Sequence, residues 1–206
     1  MTDPSNPNLT KNPTSLPPNR RYICTHDSTG KSIFHSSPSQ LYHGRQGVGG
    51  MARSYALSSV PAILQDDEDV KKYLDPDVES NPVSFRASDI VIPNTEQTPN
   101  GANLVVVDIA PGGESQMHRT VSVDFSICVV GSIGMELDGG EKVVLAPGDH
   151  VVQRGTMHKW FNASQTEPAR FVAVTLPCEP FAIGGKRLAE EHVQGTGAKQ
   201  KDGSRL

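Results

Sequence analysis

The sequence lacks what would tie it to a membrane, to nucleic acid or to an oxidising compartment. Cysteines are few: Cys24, Cys128 and Cys178 are odd in number and show no CxxC spacing. They give no disulfide framework and read as reduced thiols of an intracellular protein. Long apolar runs are missing, and the stretch Leu104 to Val107 is far too short to cross a bilayer. The N-terminus is polar and proline-rich without an apolar segment, so no secretory signal is expected. There is no basic block, and the formal net charge is -4. Such a chain has no electrostatic reason to bind nucleic acid or an anionic membrane surface. No internal repeat is visible.

Glycine and proline are plentiful, at 19 and 16 of 206 residues. That balance favours many short strands and turns, in one domain with extensions. Residues 1–20 are rich in Pro, Asn, Ser and Thr and read as a flexible N-terminal arm. Residues 21–100 read as strands, a loop and a short helix packed on the core. Tyr22–Cys24 and Lys31–Phe34 flank a hairpin turn, and His35–Gly50 is a loop. Met51–Val60 is a strand, on which Arg53 and Tyr55 alternate toward a possible cavity. Gln65–Leu74 carries acids first and lysines later, which suits a helix dipole. Strands are expected at Ser84–Ile92 and Leu104–Ala110, and residues 101–180 form the core. Phe171–Leu176 is a last strand, and residues 181–206 hold a C-terminal helix at Lys186–Val193 and a tail.

Met117 to Val130 alternates along its whole length. His118, Thr120, Ser122, Asp124 and Ser126 share one side, and Val121, Val123, Phe125, Ile127 and Val129 the other. A period of two means a strand with unlike faces. The polar face suits either solvent or the wall of a wet cavity inside a barrel. Turn signals at Gly131, Asp138-Gly139-Gly140 and Pro147-Gly148-Asp149 separate further short strands.

These residues resemble the cupin superfamily. Gly112, His118, Thr120, Asp124 and Gly131 keep every spacing of its first motif, G(X)5HXH(X)3E(X)6G. Gly155, His158 and Asn162 match the second half of G(X)5PXG(X)2H(X)3N, with Gln153 at the proline position. The wording around Met117–Thr120 and Gln153–His158 is similar to small fungal cupins of polyketide and other secondary-metabolite pathways, often labelled oxidoreductases. The resemblance implies an all-β fold, a single cupin jelly-roll barrel with an N-terminal extension and short helices. It also implies a divalent metal, Fe, Zn, Mn or Ni, on His118, Asp124 and His158. Thr120 replaces the usual second histidine and Asp124 the usual glutamate. Two histidines and one carboxylate still suffice for a metal with open positions. Asp124 could instead orient His118 or hold a water.

Asp124, Gln153 and Trp160 are the candidate catalytic residues, and Trp160 shares the parity of His158. Arg119 has outward parity and suits an ion pair; His26, His35, His43, His150 and His192 lack ligand spacing. Lyase or isomerase chemistry on a polyketide-like or β-dicarbonyl metabolite is expected: dehydration, aromatisation or decarboxylation. The alternatives are an iron-dependent dioxygenase on the same ligands and a non-catalytic small-molecule binder. A homodimer is expected, with part of residues 20–60 crossing to the partner. Ser204-Arg205-Leu206 resembles the peroxisomal C-terminal signal, so the location is cytoplasmic or peroxisomal.

Overall fold

A computed structural model describes residues 2–3, 6–87 and 101–197. In chain order the strands begin with β1 (Thr2–Asp3), β2 (Asn6–Thr10), β3 (Ile23–His26), β4 (Ser32–His35), β5 (Tyr42–Arg45) and β6 (Gly49–Leu57). A single 3-10 turn (Gln65–Asp67) leads into the one described α-helix, α1 (Glu68–Leu74). There follow β7 (Ala102–Ile109), β8 (Met117–Arg119), β9 (Ser122–Val130), β10 (Ile133–Leu137), β11 (Lys142–Leu145), β12 (His150–Arg154), β13 (His158–Asn162) and β14 (Ala169–Pro177). The chain ends its described part with β15 (Ala182–Ile183), β16 (Lys186–Arg187) and β17 (Glu191–Val193).

Two antiparallel sheets build the jelly-roll. One runs β1-β2-β5-β6-β7-β14-β9-β12 and the other β11-β10-β13-β8-β17. The core lies between them. Val105, Ile109, Cys128, Phe171 and Ala173 from the large sheet meet Ile133, Met135, Leu145 and Trp160 from the small one. Each strand delivers every second residue to this interior, because its side chains alternate. A second cluster joins Val70 and Tyr73 of α1 to Ala56 of β6 and Ile23 of β3. The helix has acids in its first turn, lysines in its last, and a Glu68–Lys72 pair at 3.4 Å.

Four local expectations are corrected. The N-terminal segment packs from residue 9 on: Leu9 and Thr14 are buried, and β2 pairs with β5. Its anchor lies on the large sheet's outer face. There Arg170 makes a two-pronged ion pair with Asp108 (Nε–Oδ1 2.6 Å, Nη2–Oδ2 2.7 Å). Thr14 donates to that carboxylate at 3.1 Å, and Arg170 also donates to the Pro17 carbonyl. The stretch read as a loop at His35–Gly50 contains β5 and the start of β6. Residues 84–87 form turns rather than a strand, with Ser84 Oγ donating to the Asp75 carbonyl. The rest of that expected strand lies outside the described residues, as does Ser204-Arg205-Leu206. Finally, Lys186–Val193 is not a helix. It holds β16, which pairs with β15 across the Gly184-Gly185 turn, and β17, which pairs with β8. Among the described residues no helix is long and apolar enough to cross a membrane.

Candidate active site

The polar side of β9 faces inward. Ser122, Asp124 and Ser126 are buried, while Phe125 and Val129 on the opposite side are exposed. Buried polar groups need hydrogen-bond partners, and Ser122 and Asp124 have them. The Ser122 hydroxyl donates to Asp124 Oδ1 at 2.7 Å and lies 3.0 Å from Thr120 Oγ1. On the neighbouring strand, register sets Gln153 opposite Asp124. Gln153 Nε2 donates to Asp124 Oδ2 at 3.2 Å and to Thr120 Oγ1 at 3.3 Å, and its Oε1 accepts from the Thr156 amide. Gln153 therefore stands behind Asp124 and acts on it, not on a ligand. Burial pushes the Asp124 carboxyl up to about 6, against the lowering by Ser122 and Thr120. Desolvation outweighs two hydroxyl bonds here because the charged form loses most of its water.

The histidines come from the facing sheet. Register sets His118 of β8 opposite His158 of β13, with ring centres 4.4 Å apart and planes at 51°. Each ring is fixed by a carbonyl two residues upstream: His118 Nδ1 sits 2.9 Å from Gln116 O, and His158 Nδ1 sits 2.9 Å from Thr156 O. A carbonyl oxygen only accepts, so Nδ1 carries the proton in both rings. In the neutral rings Nε2 is left with its lone pair. Burial, with His118 alongside, lowers His158 to about 4; burial also lowers His118. Both imidazoles are neutral at neutral pH.

Trp160 sits edge-on to His158, with centres 5.9 Å apart at 82°, and stacks on Phe171 at 4.6 Å. These groups line one cavity of about 330 Å³, at the lower end of ligand-sized pockets. Its wall carries Met51, Val107 and Phe171 together with His118, His158 and Asp124. Arg53 and Tyr55 do not reach it. Arg53 donates to the Pro82 and Ser84 carbonyls, and Tyr55 donates to Asp69 at 2.6 Å. Arg119 does pair outward, with Glu191 at 3.4 Å.

Two wall residues had no motif to reveal them. His43 reaches the cavity from β5, where its Nε2 donates to the Arg86 carbonyl at 2.8 Å. His192 reaches it from β17 and lies against His118, with ring centres 5.6 Å apart and planes within 9°. Only the pairing of β17 with β8 brings His192 there.

Fit to a metal ion divides the expected ligands. Two imidazoles on one ion, with nitrogens about 2.1 Å from it, place their ring centres about 4.5 Å apart at a right angle and about 5.2 Å apart at the tetrahedral angle. His118 and His158, at 4.4 Å with bare Nε2 atoms, come just under the right-angle spacing. The carbonyl bonds at Nδ1 are the partners that orient metal-binding imidazoles. Asp124 is different: Ser122 and Gln153 hold its two oxygens. Among the described residues no three His, Cys, Asp or Glu side chains group to hold a metal. Two of the three expected ligands come together as a pair, and the third shares their cavity.

The sequence profile of the cupin domain matches residues 105–175, from β7 to β14. The chain is 39% identical over 172 residues to phomopsin biosynthesis cluster protein C' of Diaporthe leptostromiformis, covering 82% of this chain and 83% of that one. The chain belongs to the cupin family. This cupin is also similar to oryzines biosynthesis cluster protein J of Aspergillus oryzae, at 35% identity over 177 residues (85% and 92% of the two chains). It is 32% identical over 192 residues to the cupin-domain-containing oxidoreductase fogC of Aspergillus ruber (89% and 83%).

Proposed function

We propose that this cupin is an enzyme that tailors a small oxygenated metabolite, of polyketide or β-dicarbonyl type, by lyase or isomerase chemistry. One observation carries the reading. Asp124 is a buried carboxyl with a proton affinity near neutrality, on the wall of a ligand-sized cavity that two neutral imidazoles also line. A group that titrates near the working pH can both give and take a proton, and such catalysis is worth roughly 10²–10⁴-fold. Dehydration, aromatisation and decarboxylation of a β-dicarbonyl each need a proton moved beside a carbonyl or enol oxygen.

In this reading Asp124 moves that proton. Gln153 and Ser122 hold the carboxylate in place, and Thr120 completes the polar wall. The bare Nε2 atoms of His118 and His158 accept from an enol or hydroxyl of the substrate, and Trp160 packs against its flat skeleton. The same two nitrogens would hold a divalent metal. Such an ion supplies Lewis-acid polarisation of a substrate oxygen when bound. That two relatives are named for biosynthesis clusters supports a small-molecule substrate.

A second reading is oxidation of the substrate with iron and oxygen; the relative fogC carries the name oxidoreductase. One experiment separates the two. Ethyl 2-methylacetoacetate in D2O under nitrogen reports proton abstraction at its central carbon by NMR. The metal-stripped protein should accelerate the exchange, and Asp124→Asn should lose about 10²-fold or more of that acceleration. No acceleration, together with oxygen uptake by the iron-loaded protein, would select the oxidative reading.

A further inference from the structure

Among the described residues that line the cavity there is no Lys and no Arg. Strand alternation is the reason. Arg119 follows His118 on β8, Lys159 lies between His158 and Trp160 on β13, and Arg170 precedes Phe171 on β14. Neighbours along a strand project to opposite faces, so each wall residue sends its cationic neighbour outward. There each cation already has an acid. Arg119 has Glu191 at 3.4 Å, Lys159 has Glu114 at 3.1 Å and Glu136 at 3.2 Å, and Arg170 has Asp108 at 2.6 Å. The polar groups turned inward are acceptors. His118 and His158 present the lone pairs of Nε2, and Asp124 presents a carboxyl, beside the apolar Met51 and Val107.

We infer that the substrate enters this cavity uncharged, bringing hydroxyl or enol donors of its own, and that a free carboxylate is excluded. The inference rests on the reading above of the cavity as the substrate site, and it narrows the reaction. A carboxylate placed here would give up its water and gain no counter-charge, in the same cavity as Asp124. The two imidazole lone pairs would face its oxygens with no proton between them. A neutral hydroxyl or enol instead donates to those nitrogens, while its planar skeleton packs against Trp160. Decarboxylation starts from an acid that is ionised at neutral pH, so it falls away. Dehydration and aromatisation remain. A precursor that carries a carboxyl must first be esterified, reduced or decarboxylated.

The test is a matched set of single-ring probes read out at Trp160. It is the only tryptophan of the sequence and it lines the cavity, so its indole N–H gives one resonance that reports occupancy. Uniformly 15N-labelled full-length protein at pH 7 is titrated with methyl 3,5-dihydroxybenzoate, with the free acid and with the methyl ester of the dimethoxy compound. Each titration is run on protein as isolated and again after EDTA treatment. The dihydroxy ester should shift the indole resonance saturably. The acid should bind at least about 10²-fold more weakly, because its charge is buried without a partner. The dimethoxy ester, which has no donors, should bind at least about tenfold more weakly than the dihydroxy ester. Gln116→Lys, half-buried on the wall, supplies the missing cation and should narrow the gap between acid and ester at least about tenfold. An acid bound within about tenfold of its ester in either preparation, equal binding of the two esters, or a gap unchanged in Gln116→Lys would each overturn the inference. So would failure of the dihydroxy ester to shift the resonance. Proton exchange in ethyl 2-methylacetoacetate, a neutral compound, does not depend on this preference, so the failure of either idea is distinguishable from that of the other.

Discussion

Asp124→Asn should change how stability depends on pH more than it changes stability at any one pH. In the folded chain the carboxyl titrates near 6, against 3.8 as its ordinary value, because it is buried. Below about 3.8 both folded and unfolded chains hold the proton and the site costs nothing. As pH rises toward 6 the unfolded chain releases its proton first, so parent stability falls. Above 6 the loss is complete and constant. A rise of about two units corresponds to about 3 kcal/mol. His158 acts in the opposite sense. Its folded value is lowered from 6.5 to about 4, so its contribution is lost as pH falls through that window. In the parent alone the two would mask each other. Asparagine cannot ionise, and the His158 effect is common to both proteins. The stability of Asp124→Asn minus that of the parent should therefore rise by about 2–3 kcal/mol between pH 4 and pH 7.5. Urea unfolding of EDTA-stripped proteins at four pH values measures it. A difference flat in pH would mean that Asp124 titrates like a surface carboxyl. A falling difference would mean that its charge is stabilised in the fold. Either result would refute its role as a near-neutral acid.

Gly134→Ala places a Cβ into the ring of Phe161, which lies across that glycine from the paired strand β13. It should cost about 1–3 kcal/mol in urea unfolding, with Phe161→Ala relieving part of the loss in the double variant. Arg170→Met leaves the Asp108 carboxylate buried at 1% exposure without its partner. The expected loss is about 3–5 kcal/mol, and a loss below about 1 kcal/mol would show that the pair is dispensable. A homodimer in which part of residues 20–60 crosses to the partner predicts twice the chain mass by light scattering at micromolar protein, and a monomer mass would refute it.

Sequence pattern carried the barrel and the two-faced strand because both are local. The alternation through His118, Thr120, Ser122, Asp124 and Ser126 defined a face, but a period of two is the same whether that face is wet or enclosed. The second sheet decides it: the cavity between the sheets takes in the polar row of β9, and the apolar Phe125 and Val129 are left outside. His118 and His158 were legible from their resemblance to the two cupin motifs, and the structure sets them opposite each other on neighbouring strands. Gln153 was visible as a motif position, but its place behind Asp124 follows from the β12–β9 register. Local composition misled at both ends. The prolines and polar residues of the N-terminal segment gave no sign that Arg170 and Asp108, far along the chain, would hold it down. Lys186–Val193 reads as helix from its residue types, yet the Gly184-Gly185 turn and the open edge of β8 draw it into strands. His192 was set aside for want of spacing, and contact across that late strand pair leaves no local pattern.

The most direct test of the site is the tautomer of its two central imidazoles. Long-range 1H–15N correlation spectra of uniformly labelled, metal-stripped protein, with His118→Gln and His158→Gln for assignment, report which ring nitrogen carries the proton. Both should be neutral at pH 7 with the proton on Nδ1 and a bare Nε2, and His158 should stay so until the pH approaches about 4. A proton on Nε2 in either ring, or titration of His158 near 6.5, would contradict the account of a cavity lined by two imidazole lone pairs.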